Sequence, residues 1–153
     1  KTTQLTSLID LMPTLIEIAG LTLDLPIDGK SLVPIMNAPD GPAVRDYIVA
    51  ETFLLNGLEG GSGEYHSLEN FDIHQDSVNL SIRTHTDKYI FHWNDQDEYY
   101  DLLNDPYENN NLLQRAEYTE RVDDLKETLL ADIARTNANF SNIVRERMLP
   151  IVN

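Results

Sequence analysis

The chain has no cysteine, few cations and no apolar run of membrane-spanning length. Without cysteine, a disulfide scaffold and a thiolate zinc site are both excluded, although the redox compartment stays open because many larger secreted domains lack disulfides. Eleven Lys and Arg stand against 26 Asp and Glu, a formal net charge of −15. That balance repels phosphate backbones and anionic lipid headgroups, so neither nucleic acid nor a membrane is an expected partner. Catalytic signatures are equally scarce. There is no GxSxG, GxGxxG or HExxH string, and DGKS at 28–31 lacks the glycine-rich run of a phosphate loop. The four histidines, His66, His74, His85 and His92, show no i, i+2 or i, i+4 pair that would offer two imidazoles to one metal. The chain opens on Lys1 with no Met, basic n-region or apolar leader, and reads as cut from something longer.

What is present is enough to fold. At 153 residues and 41% hydrophobic, the chain can bury roughly 70% of its unfolded surface. Residues 5–20 carry apolar side chains at helical steps (Leu5, Leu8, Ile9, Met12, Leu15, Ile16, Ala19), which predicts a helix with one buried face. Ser7 and Asp10 resemble a capping box, Pro13 suits the first helical position and Gly20 suits a left-handed stop. A Pro- and Gly-rich connection over 21–47 leaves room for one helical turn near Ser31–Met36. Strands are predicted at 47–52, 80–85, 89–93 and 98–103. A two-residue turn at Asp87 and Lys88 would pair Thr84 with Phe91 and Ile82 with Trp93, leaving Arg83, His85, Ile90 and His92 on the opposite face. Tyr118, Val122, Leu125, Leu129 and Ile133 mark an amphipathic helix over 116–136 lying across the sheet, and 137–153 reads as a docking tail.

Candidate chemistry is thin. Asp95, Asp97, Glu98 and Asp101 fail the EF-hand pattern, because Tyr100 and Pro106 occupy the positions that need Gly and Glu, so they read as a solvated hairpin end. The long loop 53–78 exceeds the usual connection length and has the character of a lid or binding loop. Within it Tyr65, His66 and His74 are the residues best suited to touch a ligand.

Three strings, in this order, resemble the C-terminal part of the sulfatase family within the alkaline-phosphatase-like superfamily. They are DLMPTLIEIAG at 10–20, DGKSL at 28–32, and RTHTDKYIFHW at 83–93 with EYYDLLNDPYENNNL at 98–112. Tyr99 stands where Leu is commoner. The resemblance implies an α+β fold: a small antiparallel β-sheet covered by a long C-terminal helix, the C-terminal subdomain of an alkaline-phosphatase-like α/β enzyme. Residues 1–45 would then close the larger α/β domain and 46–153 would form the sheet-and-helix subdomain. It also implies hydrolysis of sulfate esters by a formylglycine nucleophile with calcium or magnesium, all located upstream of Lys1 in a missing N-terminal catalytic domain. No catalytic residue and no metal ligand is expected within 1–153, which has neither Cys nor Ser-x-Pro-Ser-Arg. The implied substrate is a sulfated small molecule or carbohydrate, and the implied location periplasmic or extracellular. A phosphonate or phosphate monoester hydrolase of the same superfamily, and a non-catalytic acidic interaction module, are the alternatives.

Overall fold

The computed structural model describes residues 2–22, 24–54, 77–136 and 138–149. They fall into two compact units, Lys1–Ile48 and Val49–Asn153.

In the first unit a 3-10 turn at Leu8–Asp10 runs into helix α1, Leu11–Ile18. Pro13 is the third helical residue rather than the first. This costs no intrahelical bond, because the first four amides of a helix have no acceptor behind them. Gly20 ends the helix at φ +68°, with its N–H donating to Glu17 O and that of Leu21 to Ile16 O, both at 3.0 Å. A residue with a side chain would be strained in that left-handed conformation. Helix α2, Val33–Asn37, is the short turn anticipated in the connection. The apolar face of α1 is not buried, contrary to the sequence reading. Asp10 and Thr14 are the buried side chains here, while Leu8, Leu11, Met12 and Leu15 stay exposed. The polar side of the helix faces inward because its groups bind the following connection.

The second unit is an α+β sheet-and-helix fold. Strands β1 (Ile48–Leu54), β2 (Ser77–Arg83), β3 (Asp87–His92) and β4 (Glu98–Asp101) lie side by side in chain order, with β2–β3 and β3–β4 antiparallel. The β2–β3 register pairs Leu80 with Phe91 and Ile82 with Tyr89, so the turn falls at His85-Thr86 and not at Asp87-Lys88. Thr84 sets it: its Oγ1 accepts the N–H of Thr86 at 3.2 Å and of Asp87 at 2.9 Å, a local side-chain turn that outcompetes the Asp-Lys pair. The partner of Ile82 moves by four residues, an even number, so each side chain keeps its predicted face. Val78, Leu80, Ile82, Tyr89, Phe91, Trp93 and Tyr99 form the buried face.

A second 3-10 turn, Ala116–Tyr118, leads into α3, Thr119–Thr136. Val122, Leu125, Leu129 and Ile133 are buried and α3 packs on β2 and β3. The expected tail is instead largely a second helix, α4, Ala138–Met148, packed on α3. Phe140, Val144 and Met148, spaced by four, are its buried stripe, and Ser141 Oγ donates to Leu130 O at 3.0 Å. That stripe lies in the sequence but is sparse among polar neighbours.

Leu129 has no exposed surface. Leu129→Ala is expected to lower the stability of this unit by about 2–5 kcal/mol, the usual cost of a core cavity. Urea unfolding followed by fluorescence of Trp93, the sole tryptophan, measures it; a loss below about 1 kcal/mol would contradict the packing.

Candidate functional site

The string at 10–20 and the string at 28–32 meet as one hydrogen-bonded clip. The fully buried Asp10 accepts the Ser7 N–H at 2.7 Å on Oδ2, and the Lys30 N–H at 2.9 Å together with Arg45 Nη2 on Oδ1. One helical turn later, Thr14 Oγ1 donates to Asp10 O at 2.5 Å and accepts the Leu32 N–H at 2.9 Å. Thus Asp10 and Thr14, four apart, hold two alternate amides of the connection. Gly29, just before Lys30, lies where an added Cβ would come 2.1 Å from Ile9 O, so only glycine fits. Lys30 Nζ reaches Val44 O at 2.8 Å, tying down the approach to Arg45.

The second unit repeats the device. Asp87, 6% exposed, accepts the Tyr99 hydroxyl at 2.5 Å, the Thr86 hydroxyl at 2.5 Å and Arg121 Nη2 from α3. Sheet and helix are therefore joined through one carboxylate. Asp97 takes the Tyr89 hydroxyl at 2.5 Å and the His92 N–H at 3.0 Å. Glu98 takes the Tyr100 hydroxyl at 2.5 Å and lies 3.1 Å from His92 Nε2, whose other ring nitrogen is 3.1 Å from Asn79 Oδ1. All three phenols are held protonated. Burial first, then Asp97, pushes Tyr89 far up. Burial and the hydrogen bond to Asp87 raise Tyr99, and the hydrogen bond to Glu98 with burial takes Tyr100 up to about 12.

The exit from β4 is built the same way. Asp101 accepts Asn104 Nδ2 at 2.8 Å, and the N–H groups of Leu103 at 3.1 Å and Asn104 at 3.3 Å. Asp105 accepts the N–H groups of Asn109 and Asn110, each at 2.8 Å. Asn111 Oδ1 takes the Tyr99 and Leu113 amides at 3.1 and 3.0 Å. Glu108 stands at φ +57°, its carboxylate 2.6 Å from Lys88 Nζ. Of the four acids in 95–101, Asp95 is exposed as a solvated hairpin end requires, but Asp101 is buried and Asp97 and Glu98 are partly so, these three engaged by named donors.

Tyr65, His66 and His74 lie outside the described residues. His85 sits exposed in the β2–β3 turn and His92 is half-buried between Asn79 and Glu98, so the two do not share a site. Among the described residues no three or more His, Cys, Asp or Glu are grouped to hold a metal ion. The carboxylates at the clips are engaged by backbone, phenol and guanidinium donors, so a divalent cation does not fit them, and no catalytic step is assigned to them. The sequence reading missed Arg45 and Arg121, each about 35 residues from its acid; a lone Asp at an otherwise apolar helix start is the signal that a distant cation is needed.

Two outcomes follow. Gly29→Ala is expected to break the clip, because the collision is with backbone and no side chain can yield; amide exchange at Lys30 and Leu32 should accelerate at least about tenfold, equivalent to about 1.4 kcal/mol of local opening. Unchanged exchange would refute the fit. The Asn104 side chain, followed by the turn amides, holds Asp101 below its ordinary carboxylate value. Its contribution is thus present above the unfolded value, about 3.9, and is lost as pH falls through the lower folded one. Asp101→Asn should lower the urea midpoint at pH 7 and flatten its decline below about pH 4; an unaltered acid limb would contradict the assignment.

Residues 1–135 match the family profile described as "N-sulphoglucosamine sulphohydrolase, C-terminal". An N-acetylglucosamine-6-O-sulfatase of Bacteroides thetaiotaomicron is 31% identical over 123 residues, 79% of this chain and 20% of that protein. A solved protein in complex with its substrate D-glucosamine-2-N,6-O-disulfate superposes with TM-score 0.63 at 27% identity, over 85% of this chain and 24% of that one. The phosphonate monoester hydrolase of Agrobacterium radiobacter superposes with TM-score 0.65 at 26% identity, over 86% of this chain and 25% of that one. The chain thus spans about a quarter or less of the length of these proteins. Asp10 and Asp87, the acids at the centre of the two clips, lie within the matched residues, and the chain belongs to the sulfatase family of the alkaline-phosphatase-like superfamily, as a sulfatase C-terminal domain.

Proposed function

We propose that 1–153 is the C-terminal scaffold of an enzyme that hydrolyses sulfate esters of a small molecule or carbohydrate. The formylglycine nucleophile and a calcium or magnesium ion belong, on this reading, to sequence preceding Lys1, with residues 1–45 closing the larger α/β domain. The loop 53–78, with Tyr65, His66 and His74, would act as a substrate lid. Secretion to the periplasm or beyond goes with the same reading, on family resemblance alone.

One observation carries the scaffold role. The polar groups of the family strings hold backbone and neighbouring elements: Asp10 and Thr14 grip 28–32, and Asp87 joins β3, β4 and α3. Asp10, with three donors on its oxygens and no exposed surface, has no route to a substrate as nucleophile or general base. A sulfated sugar as substrate is supported by the names of the 6-O-sulfatase relative and of the disulfated glucosamine complex. The phosphonate monoester hydrolase supports a second reading, in which the ester is a phosphonate or phosphate.

Purified 1–153 is expected to show no hydrolysis of an aryl sulfate, with or without calcium. The full-length protein is expected to release inorganic sulfate from D-glucosamine-2-N,6-O-disulfate faster than it cleaves an aryl phosphonate monoester. Turnover by 1–153 alone that survives contamination controls would overturn the scaffold role, and preferential phosphonate cleavage would favour the second reading.

A further inference from the structure

β4 is the outermost strand on its side of the sheet, and among the described residues no strand lies beyond it. Such an edge offers a row of unpaired N–H and C=O groups, a template on which another chain can add a strand. Successive residues of a strand turn their peptide groups to opposite sides. At the end of β4 the Leu102 N–H reaches back to Thr86 O at 2.8 Å, so Glu98, Tyr100 and Leu102 face β3 and Asp97, Tyr99 and Asp101 face outward. The outward groups are met by the segment that follows. Tyr99 N–H donates to Asn111 Oδ1 at 3.1 Å, and Asn111 Nδ2 donates to Asp97 O at 3.1 Å. Leu112 N–H donates to Tyr99 O at 2.9 Å, and Asp105 N–H to Asp101 O at 2.8 Å.

The Asn111 carboxamide thus copies a peptide unit. Its acceptor on Tyr99 N–H and its donor on Asp97 O make the pair of bonds, to groups two residues apart, that one residue of a parallel strand makes with its neighbour. A turn former does not need both. The Leu113 N–H donates to the same Oδ1 at 3.0 Å, and that local turn uses the acceptor alone. The strap 102–113 is also fastened so as to deliver Asn111 to the edge. Asp105 gathers the Asn109 and Asn110 amides, and Glu108, at φ +57°, has its carboxylate 2.6 Å from Lys88 Nζ on β3 and 3.6 Å from Arg83 Nη1 on β2. A left-handed conformation at a residue with a side chain costs free energy that these bonds offset. We propose that Asn111 is an edge guard: with Leu112 it stands in for a fifth strand along β4 and denies that edge to the same edge of a second copy of this chain. An open β4 edge is self-complementary, since two copies of it can pair antiparallel about a two-fold axis. The net charge of −15 opposes that pairing only while it is unscreened, so the guard matters most where salt is high.

Hydrogen exchange and sedimentation of the full-length protein and its Asn111→Ala variant test this. In the unaltered protein the Tyr99 amide, although on the outermost strand, is expected to exchange within about tenfold of the Tyr100 amide, which faces β3. In the variant Tyr99 should exchange at least about tenfold faster, while Tyr100 and the amides of β2 and β3 change little. The variant's weight-average mass should climb with protein concentration at about 1 M salt, where the screening length is about 3 Å, and climb less at about 0.1 M. Asn111→Asp keeps the acceptor for Tyr99 and Leu113 and puts a charge on the edge, so its mass should match that of the unaltered protein. Acceleration confined to Leu113 overturns the proposal, because Asn111 is then a turn former only. A Tyr99 amide that exchanges freely in the unaltered protein overturns it without any variant. Opening at Tyr99 with no change of mass at either salt also overturns it, as does equal association of Asn111→Ala and Asn111→Asp, which places the contact elsewhere. None of these readouts involves ester hydrolysis, so the guard stands or falls independently of the reaction.

Discussion

Asp10 has no exposed surface, and a carboxylate in that position is tolerable only if every direction in which it would have met water is filled by a donor. Two backbone amides and the Arg45 guanidinium, itself 9% exposed, fill them. The rest of the first unit follows. Bonding to Lys30 fixes the connection against α1, Thr14 repeats the grip one turn along at Leu32, and the closeness this enforces leaves no room for a side chain at Gly29. With few large apolar residues buried in this unit, the clip rather than a hydrophobic core determines which way the helix faces. Removing one partner of such a buried pair typically costs about 3–5 kcal/mol, because the other is left desolvated and alone.

Asp87 and Arg121 form the counterpart in the second unit, under different conditions. Asp87 is buried but the Arg121 side chain is 46% exposed, so water shares in screening that pair. Its weight lies more in the hydroxyls of Tyr99 and Thr86 than in the ion pair, since a half-exposed arginine adds about 1 kcal/mol or less. Here a continuous core between the sheet and α3 does what the first unit assigns to its clip. The sheet and its helix are accordingly held by area, and the entry helix by directed bonds.

Much of this was legible from residue order. Alternation placed Ile82, Tyr89, Phe91 and Trp93 on one face, and the 3.6-residue rhythm of Val122 to Ile133 gave α3, because burial enforces both periods. The turn between β2 and β3 was misplaced by two residues, since Thr84 binds amides through its side chain and such local competition has no apolar signature. α4 escaped notice because three apolar residues four apart, in a polar run, signal weakly. The inward face of α1 was misjudged because periodicity registers apolar residues only, whereas Asp10 and Thr14 are drawn inward by directed bonds to Lys30, Leu32 and Arg45. Tyr65, His66 and His74, expected near substrate from residue type and loop length, lie outside the described residues. Pairings such as Asp10–Arg45 span 35 positions, beyond any local pattern.

The three phenols that donate to Asp87, Asp97 and Glu98 have a consequence for how so acidic a chain is assembled. With cations scarce, tyrosine hydroxyls stand in as neutral donors to carboxylates on both faces of the sheet. A neutral dipole on an anion, partly shielded from solvent, is far less subject to ionic screening than a surface ion pair. The bonding within the sheet is therefore built to depend little on the ionic strength around it.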